Sequence, residues 1–143
     1  MKKSFALSMV AYVLPTFALG FVWHLVLFHR RYEQLALYRD QLAFPLGIAA
    51  MLVQATVYAW AYPRLFSTRR DDWRRGAAGF ALVFGLAAWA YSTLAVGAKH
   101  VMTSVPEFLA LESGFTLLHF AVVAPLIALA WRDAGATEST FTG

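Results

Sequence analysis

The chain has 143 residues, of which 60% are hydrophobic and only 14% charged, and its mean hydropathy is +0.58. Soluble domains carry about 25% charged residues, so this composition excludes an ordinary water-soluble fold and makes a bilayer the expected solvent. Cysteine is absent, which removes disulfides, thiol nucleophiles and thiolate metal ligands, and the net charge of +4 sits in basic residues beside apolar runs without any nucleic-acid-binding pattern.

The first apolar run, Phe5 to Phe28, contains no formal charge and exceeds the roughly 20 residues needed to cross hydrocarbon. A cleavable signal peptide competes for it, because Lys2-Lys3, the apolar stretch and Ala18-Leu19-Gly20 imitate the three regions of one; the run continues past that point, and three more follow, which favours a retained span. The next segment, His29 to Ala43, mixes Tyr32, Leu35, Leu37 and Tyr38 with polar residues and predicts a short amphipathic interfacial helix. The second span, 44–62, has Pro45 in its first turn and Pro63 as its stop.

Between the second and third spans lies Arg69-Arg70-Asp71-Asp72-Trp73-Arg74-Arg75. Arg69, Arg70, Trp73, Arg74 and Arg75 form the predicted membrane-surface set, an orientation signal resting on anionic headgroups. The third span, 76–98, is rich in small residues (Ala77, Ala78, Gly79, Ala81, Gly85), and close backbone approach predicts that it is the most centrally packed helix. The fourth, 108–131, follows a loop containing Pro106, carries Glu112 and His119 within apolar sequence, and is predicted to kink at Pro125. Asp133 to Gly143 is small and polar and predicts a disordered tail.

The expected fold is therefore all-α: a polytopic membrane protein with four transmembrane helices in an up-down bundle over residues 1–132, without a convincing internal repeat. Lys2, Lys3, Arg64, Arg69, Arg70, Arg74, Arg75 and Arg132 fall on one side, against Arg30, Arg31, Arg39 and Lys99 on the other. That asymmetry predicts both termini in the cytoplasm, and a bacterial inner membrane is the expected location. Trp23, Phe28 and Tyr32 at one end and Trp60, Tyr62, Trp73 and Trp131 at the other read as interface anchors.

Ionisable and polar groups inside a membrane are costly and are the first place to look for function. Counting residues inward at about 1.5 Å each, His24 and Glu112 both lie roughly 6 Å from the end opposite the termini and are predicted to pair. Gln54 and His119 lie roughly 15 to 17 Å in and are predicted to form a second layer. Glu112 and His119 are seven residues apart, two turns, so they share a helix face. The functional reading of this stripe is a pocket lined by Trp23, His24, Gln54, Tyr91, Glu112 and His119, holding a lipid, quinone or isoprenoid; the structural reading is interhelical hydrogen bonding that fixes register.

Other chemistries fare worse. His24 and His119 differ in height by about 10 Å, too far to ligate one haem iron, and His24, His29, His100, Glu107 and Glu112 match no metal-ligand spacing. There is no phosphate-cradling glycine loop with lysine and no Gly-x-Ser-x-Gly elbow, so no catalytic residue, cofactor or metal is predicted, and enzyme activity has no positive support. Expected partners are the bilayer, a lipid-like small molecule and either a second copy or another membrane protein; nucleic acid is not among them. A non-catalytic accessory subunit of a membrane complex and a small proton-coupled transporter are the competing functional readings.

The run Gly20-Phe21-Val22-Trp23-His24-Leu25-Val26-Leu27-Phe28 resembles a motif of small bacterial four-span proteins classed as a domain of unknown function. The basic loop, Gly76-x-x-Gly79, Gly114 and Trp131 are similar in layout, and His24 stands where that family would lead one to expect tyrosine. The resemblance implies the four-span fold and no activity.

Overall fold

The computed structural model describes residues 2–37 and 43–132. The predicted tail, 133–143, lies outside the described residues. Among the described residues four helices are long and apolar enough to cross a membrane: α1 (Lys2–Leu27), α3 (Phe44–Leu65), α4 (Arg70–Lys99) and α5 (Val105–Trp131). A short helix, α2 (His29–Gln34), follows α1. The chain is an all-α, multi-pass membrane protein whose spans alternate in direction.

Each boundary has a local cause. Near its end α1 widens into π-helix over Phe21–Leu27, and the Phe28 amide bonds to the Trp23 carbonyl five residues back at 3.0 Å. α3 begins with Pro45 in its first turn but does not stop before Pro63, as the sequence suggested; it continues to Leu65. So late in a helix Pro63 removes a single ladder bond, and the Arg64 guanidinium donates to the Trp60 carbonyl beside it. α4 starts earlier than predicted, with a 3-10 turn over Arg70–Asp72, so Arg70, Arg74 and Arg75 belong to the opening turns of the span. α5 also starts early, because Ser104 caps it by accepting from the Glu107 amide at 3.4 Å and Pro106 fits the first turn. It then runs continuously through Pro125 to Trp131.

Backbone contacts pair α3 with α1, α1 with α5 and α5 with α4, with α1 packed on α5 along most of its length, and side chains of α3 and α4 close the bundle at one end. This corrects the expectation that the third span is central. Leu82, Val83 and Leu86 of α4 face outward, whereas α5 buries Phe108, Phe120, Val123 and Ile127. The small residues of α4 serve close contacts on two sides: a Cβ on Gly76 would run into the Tyr62 hydroxyl of α3, one on Gly79 would stand 3.1 Å from the Phe66 ring, and one on Gly85 would stand 3.1 Å from the Phe120 ring of α5. Small residues report how near a neighbour comes, not how many neighbours there are.

At the end carrying the termini, called here the basic end, an aromatic core joins all four spans. Tyr12 meets Tyr58 edge-on at 5.1 Å, Tyr58 meets Phe80 at 5.2 Å, and Phe80 meets Phe120 at 6.2 Å. Tyr62 and Trp131, read from sequence as interface anchors, are inside this core, with 0% and 3% exposure. Trp60 does stand outside, with Arg64 lying 4.4 Å from its ring centre. At the opposite end α2 tucks Tyr32 into the bundle, where it and Leu35 just beyond the helix meet Phe108. The described part of the segment predicted as an interfacial helix, 29–37, therefore folds against the bundle, and Ala36, at φ 53°, turns the chain out of the helix; Tyr38 and the rest of that prediction up to 42 lie outside the described residues.

Candidate intramembrane polar site

The polar groups of α1 and α5 meet in two layers. In the layer farther from the basic end, His24 Nε2 lies 3.4 Å from Glu112 Oε1, and the Tyr32 hydroxyl donates to the same oxygen at 2.7 Å. Both side chains are largely enclosed, His24 at 20% and Glu112 at 13% exposure. His24 Nδ1 lies 3.0 Å from the Gly20 carbonyl, which can only accept, so Nδ1 carries a hydrogen. With Nδ1 committed to the Gly20 carbonyl, Nε2 is the nitrogen that faces Glu112 Oε1, and imidazole, carboxyl and phenol form one enclosed polar cluster. The predicted His24–Glu112 pair forms, and the π-helical segment of α1 carries His24 to it.

In the second layer the Thr16 hydroxyl donates to the Tyr12 carbonyl at 2.6 Å and so accepts from His119 Nε2 at 2.8 Å. The Tyr12 hydroxyl donates to Gln54 at 2.5 Å. Gln54 and His119 thus stand on either side of α1 and are linked through its Tyr12 and Thr16, rather than bonding to each other. The His119 ring is stacked on Phe115 at 5.5 Å and tilted against Tyr12 at 5.6 Å.

The remaining predicted lining residues separate. Trp23 packs against Phe28 and Phe115, and its ring lies 3.3 Å from where a Cβ on Gly114 would be, which is why that position tolerates only hydrogen without adjustment. Tyr91 is 75% exposed on the outer face of α4, with the Lys99 ammonium 5.8 Å from its ring centre, and does not join the polar layers. The other ionisable residues of that end go to separate partners: His29 to Glu33 at 3.2 Å, Arg31 to Glu107 at 3.2 Å, and His100 to the Val96 carbonyl. Among the described residues, no three His, Asp or Glu side chains gather as a metal site.

Four contributors escaped the sequence reading. Thr16 sits two turns before His24 and four residues before Gly20, a spacing that places it on the stripe, but threonine counts as nearly apolar in a hydropathy scan. Tyr12 and Tyr32 look like ordinary aromatic filler and interface anchor. Ser113 accepts from Trp89 Nε1 at 2.8 Å, tying α4 to α5, and nothing in the pattern distinguishes it from other small residues of a span.

A lateral groove of about 410 Å³ opens beside this cluster between α1 and α3. Its walls include Gly20, Gly47, Ile48 and Met51, and His24 and Thr16, one from each polar layer, reach it. Comparison with family models, with curated proteins and with solved structures finds no match to this chain.

Proposed function

We propose that this protein binds one amphipathic, lipid-like molecule of the quinone or isoprenoid class in the groove between α1 and α3, with both of its termini in the cytoplasm of a bacterial cell. The observation that carries this reading is the coincidence of an apolar lateral groove with His24 on its wall, the imidazole being backed by Glu112 and Tyr32. An apolar tail fills such a groove as lipid does, and a hydroxyl or phosphate head hydrogen-bonds His24 Nε2 in place of its long, 3.4 Å contact with Glu112, in a region where water offers no partner. The excess of arginine at the basic end supports the orientation.

Native mass spectrometry of the protein extracted gently from its own membrane tests the reading. A reproducible lipid-range mass is expected, lost in His24→Ala and in Gly47→Leu. The glycine is informative because a Cβ there meets nothing within 4 Å, so leucine fills the groove without forcing the helices apart. A bare chain, or an extra mass indifferent to both substitutions, refutes the proposal.

A further inference from the structure

A second seam, between α4 and α5, bears no relation to the polar layers. Arg74, Ala78, Ala81, Gly85 and Trp89 line one side of α4, which widens to π-helix over Ala81–Gly85. Along this face run two adjoining depressions. One, of about 340 Å³, begins at Trp73 and Arg74; the other, of about 630 Å³, continues to Trp89 and Ser113, and the two share Ala78, Ala81, Phe120 and Ala121. The Trp89–Ser113 hydrogen bond lies at the far end.

Length and charge identify what fits. From Ala78 to Trp89 is eleven residues, about 16 Å of helix, close to the roughly 15 Å that one leaflet contributes to a hydrocarbon core about 30 Å thick. The channel starts at the membrane surface beside a guanidinium and ends about where acyl chains end. Arg74 is exposed there, 5.5 Å from the Trp73 ring centre. Among the described residues Asp72 pairs with Arg69, at 3.9 Å, while no carboxylate lies within ion-pair distance of Arg70, Arg74 or Arg75. A mouth where four arginines outnumber Asp71 and Asp72 keeps a net positive charge and favours an anionic headgroup over a zwitterionic one.

We propose that the α4–α5 seam is a binding site for one anionic phospholipid, with an acyl chain along Ala78, Ala81 and Gly85 and the phosphate on Arg74. The arginine-rich segment is then one wall of a lipid site as well as an orientation signal.

The test is native mass spectrometry of the full-length protein in mild detergent, titrated with equal amounts of phosphatidylglycerol and phosphatidylcholine. Phosphatidylglycerol is expected to be retained preferentially. Arg74→Gln should lower that retention about fivefold, the ratio that roughly 1 kcal/mol per surface arginine gives. Ala121→Phe, at an exposed alanine of the groove, should lower it with no loss of helical signal or melting temperature. Arg64→Gln, at the basic end but off the groove, should leave it unchanged. Equal retention of the two lipids overturns the proposal, as does an equal loss in Arg64→Gln, which would indicate diffuse surface charge. A dimer that Ala121→Phe dissociates, with lipid retention unaltered, overturns it in favour of a second copy of the chain.

Discussion

The His24–Glu112 contact should be energetically coupled, and more strongly than the neutral contact one layer away. The perturbation is a double-mutant cycle of His24→Ala and Glu112→Gln, the latter chosen because a glutamine oxygen still accepts from Tyr32. Hydrogen bonds between membrane helices average about 0.6 kcal/mol and reach about 1.7. Shared charge roughly doubles a hydrogen bond, but 3.4 Å is long for such a pair and neither side chain is fully enclosed, which brings the expected coupling to about 1 kcal/mol. Tyr12 and Gln54 are closer, at 2.5 Å, but neutral, with Gln54 on an exposed face, so a matching cycle of Tyr12→Phe and Gln54→Leu should return about 0.5 kcal/mol. Reversible unfolding in mixed micelles measures both. A His24–Glu112 coupling indistinguishable from zero, or smaller than that of Tyr12–Gln54, would refute the argument that the imidazole–carboxyl contact helps to hold α1 on α5.

Three further outcomes follow from particular contacts. Ser104→Ala should cost about 0.5 to 1 kcal/mol through loss of the α5 cap, read as faster amide exchange in the first turn of that helix. Tyr91→Leu, on a side chain 75% exposed, should change stability by less than about 0.5 kcal/mol and leave the co-purifying mass intact, whereas a pocket role would remove it. Because the chain has no cysteine, single substitutions report topology directly: Ser67→Cys should react with an impermeant thiol reagent only from the cytoplasmic side and His100→Cys only from the other, and the reverse pattern would invert the assigned orientation.

The spans were legible because apolar length is a one-dimensional property; charges mark the helix ends to within a turn except at the start of α4, where the helix begins six residues early, inside the arginine-rich segment. The His24–Glu112 pair was legible for a related reason, since depth can be counted from a span end and two costly groups at equal depth have few ways to avoid each other. Neighbour order was not. A lipid-facing leucine and a helix-facing leucine satisfy hydrophobicity equally well, so α4, with the most suggestive composition, turned out peripheral, while Tyr62 and Trp131 went into the core instead of the interface. Tyr12, Thr16 and Tyr32 were missed because their polar atoms are small additions to largely apolar or amphipathic side chains, and only the fold shows which hydroxyl has a histidine, an amide or a carboxylate in front of it.

The polar layers also account for the irregularity of α1. Its two ties to α5 are Thr16 to His119 and His24 to Glu112, so eight residues of α1 span what seven residues of α5 span. Two regular helices running in opposite directions would fall one residue out of register between the layers, about 1.5 Å of rise and a large fraction of a turn in direction. A π-helical segment is the standard way for a helix to absorb one additional residue without breaking, and the one in α1, Phe21–Leu27, contains His24. The extra residue lets both layers form at once. In a solvent as apolar as the side chains themselves, where burial alone gives no preference for one helix pairing over another, satisfying four polar groups together is a sufficient reason for α1 and α5 to choose each other and for α1 to depart from ideal geometry at the point where its histidine meets the carboxylate.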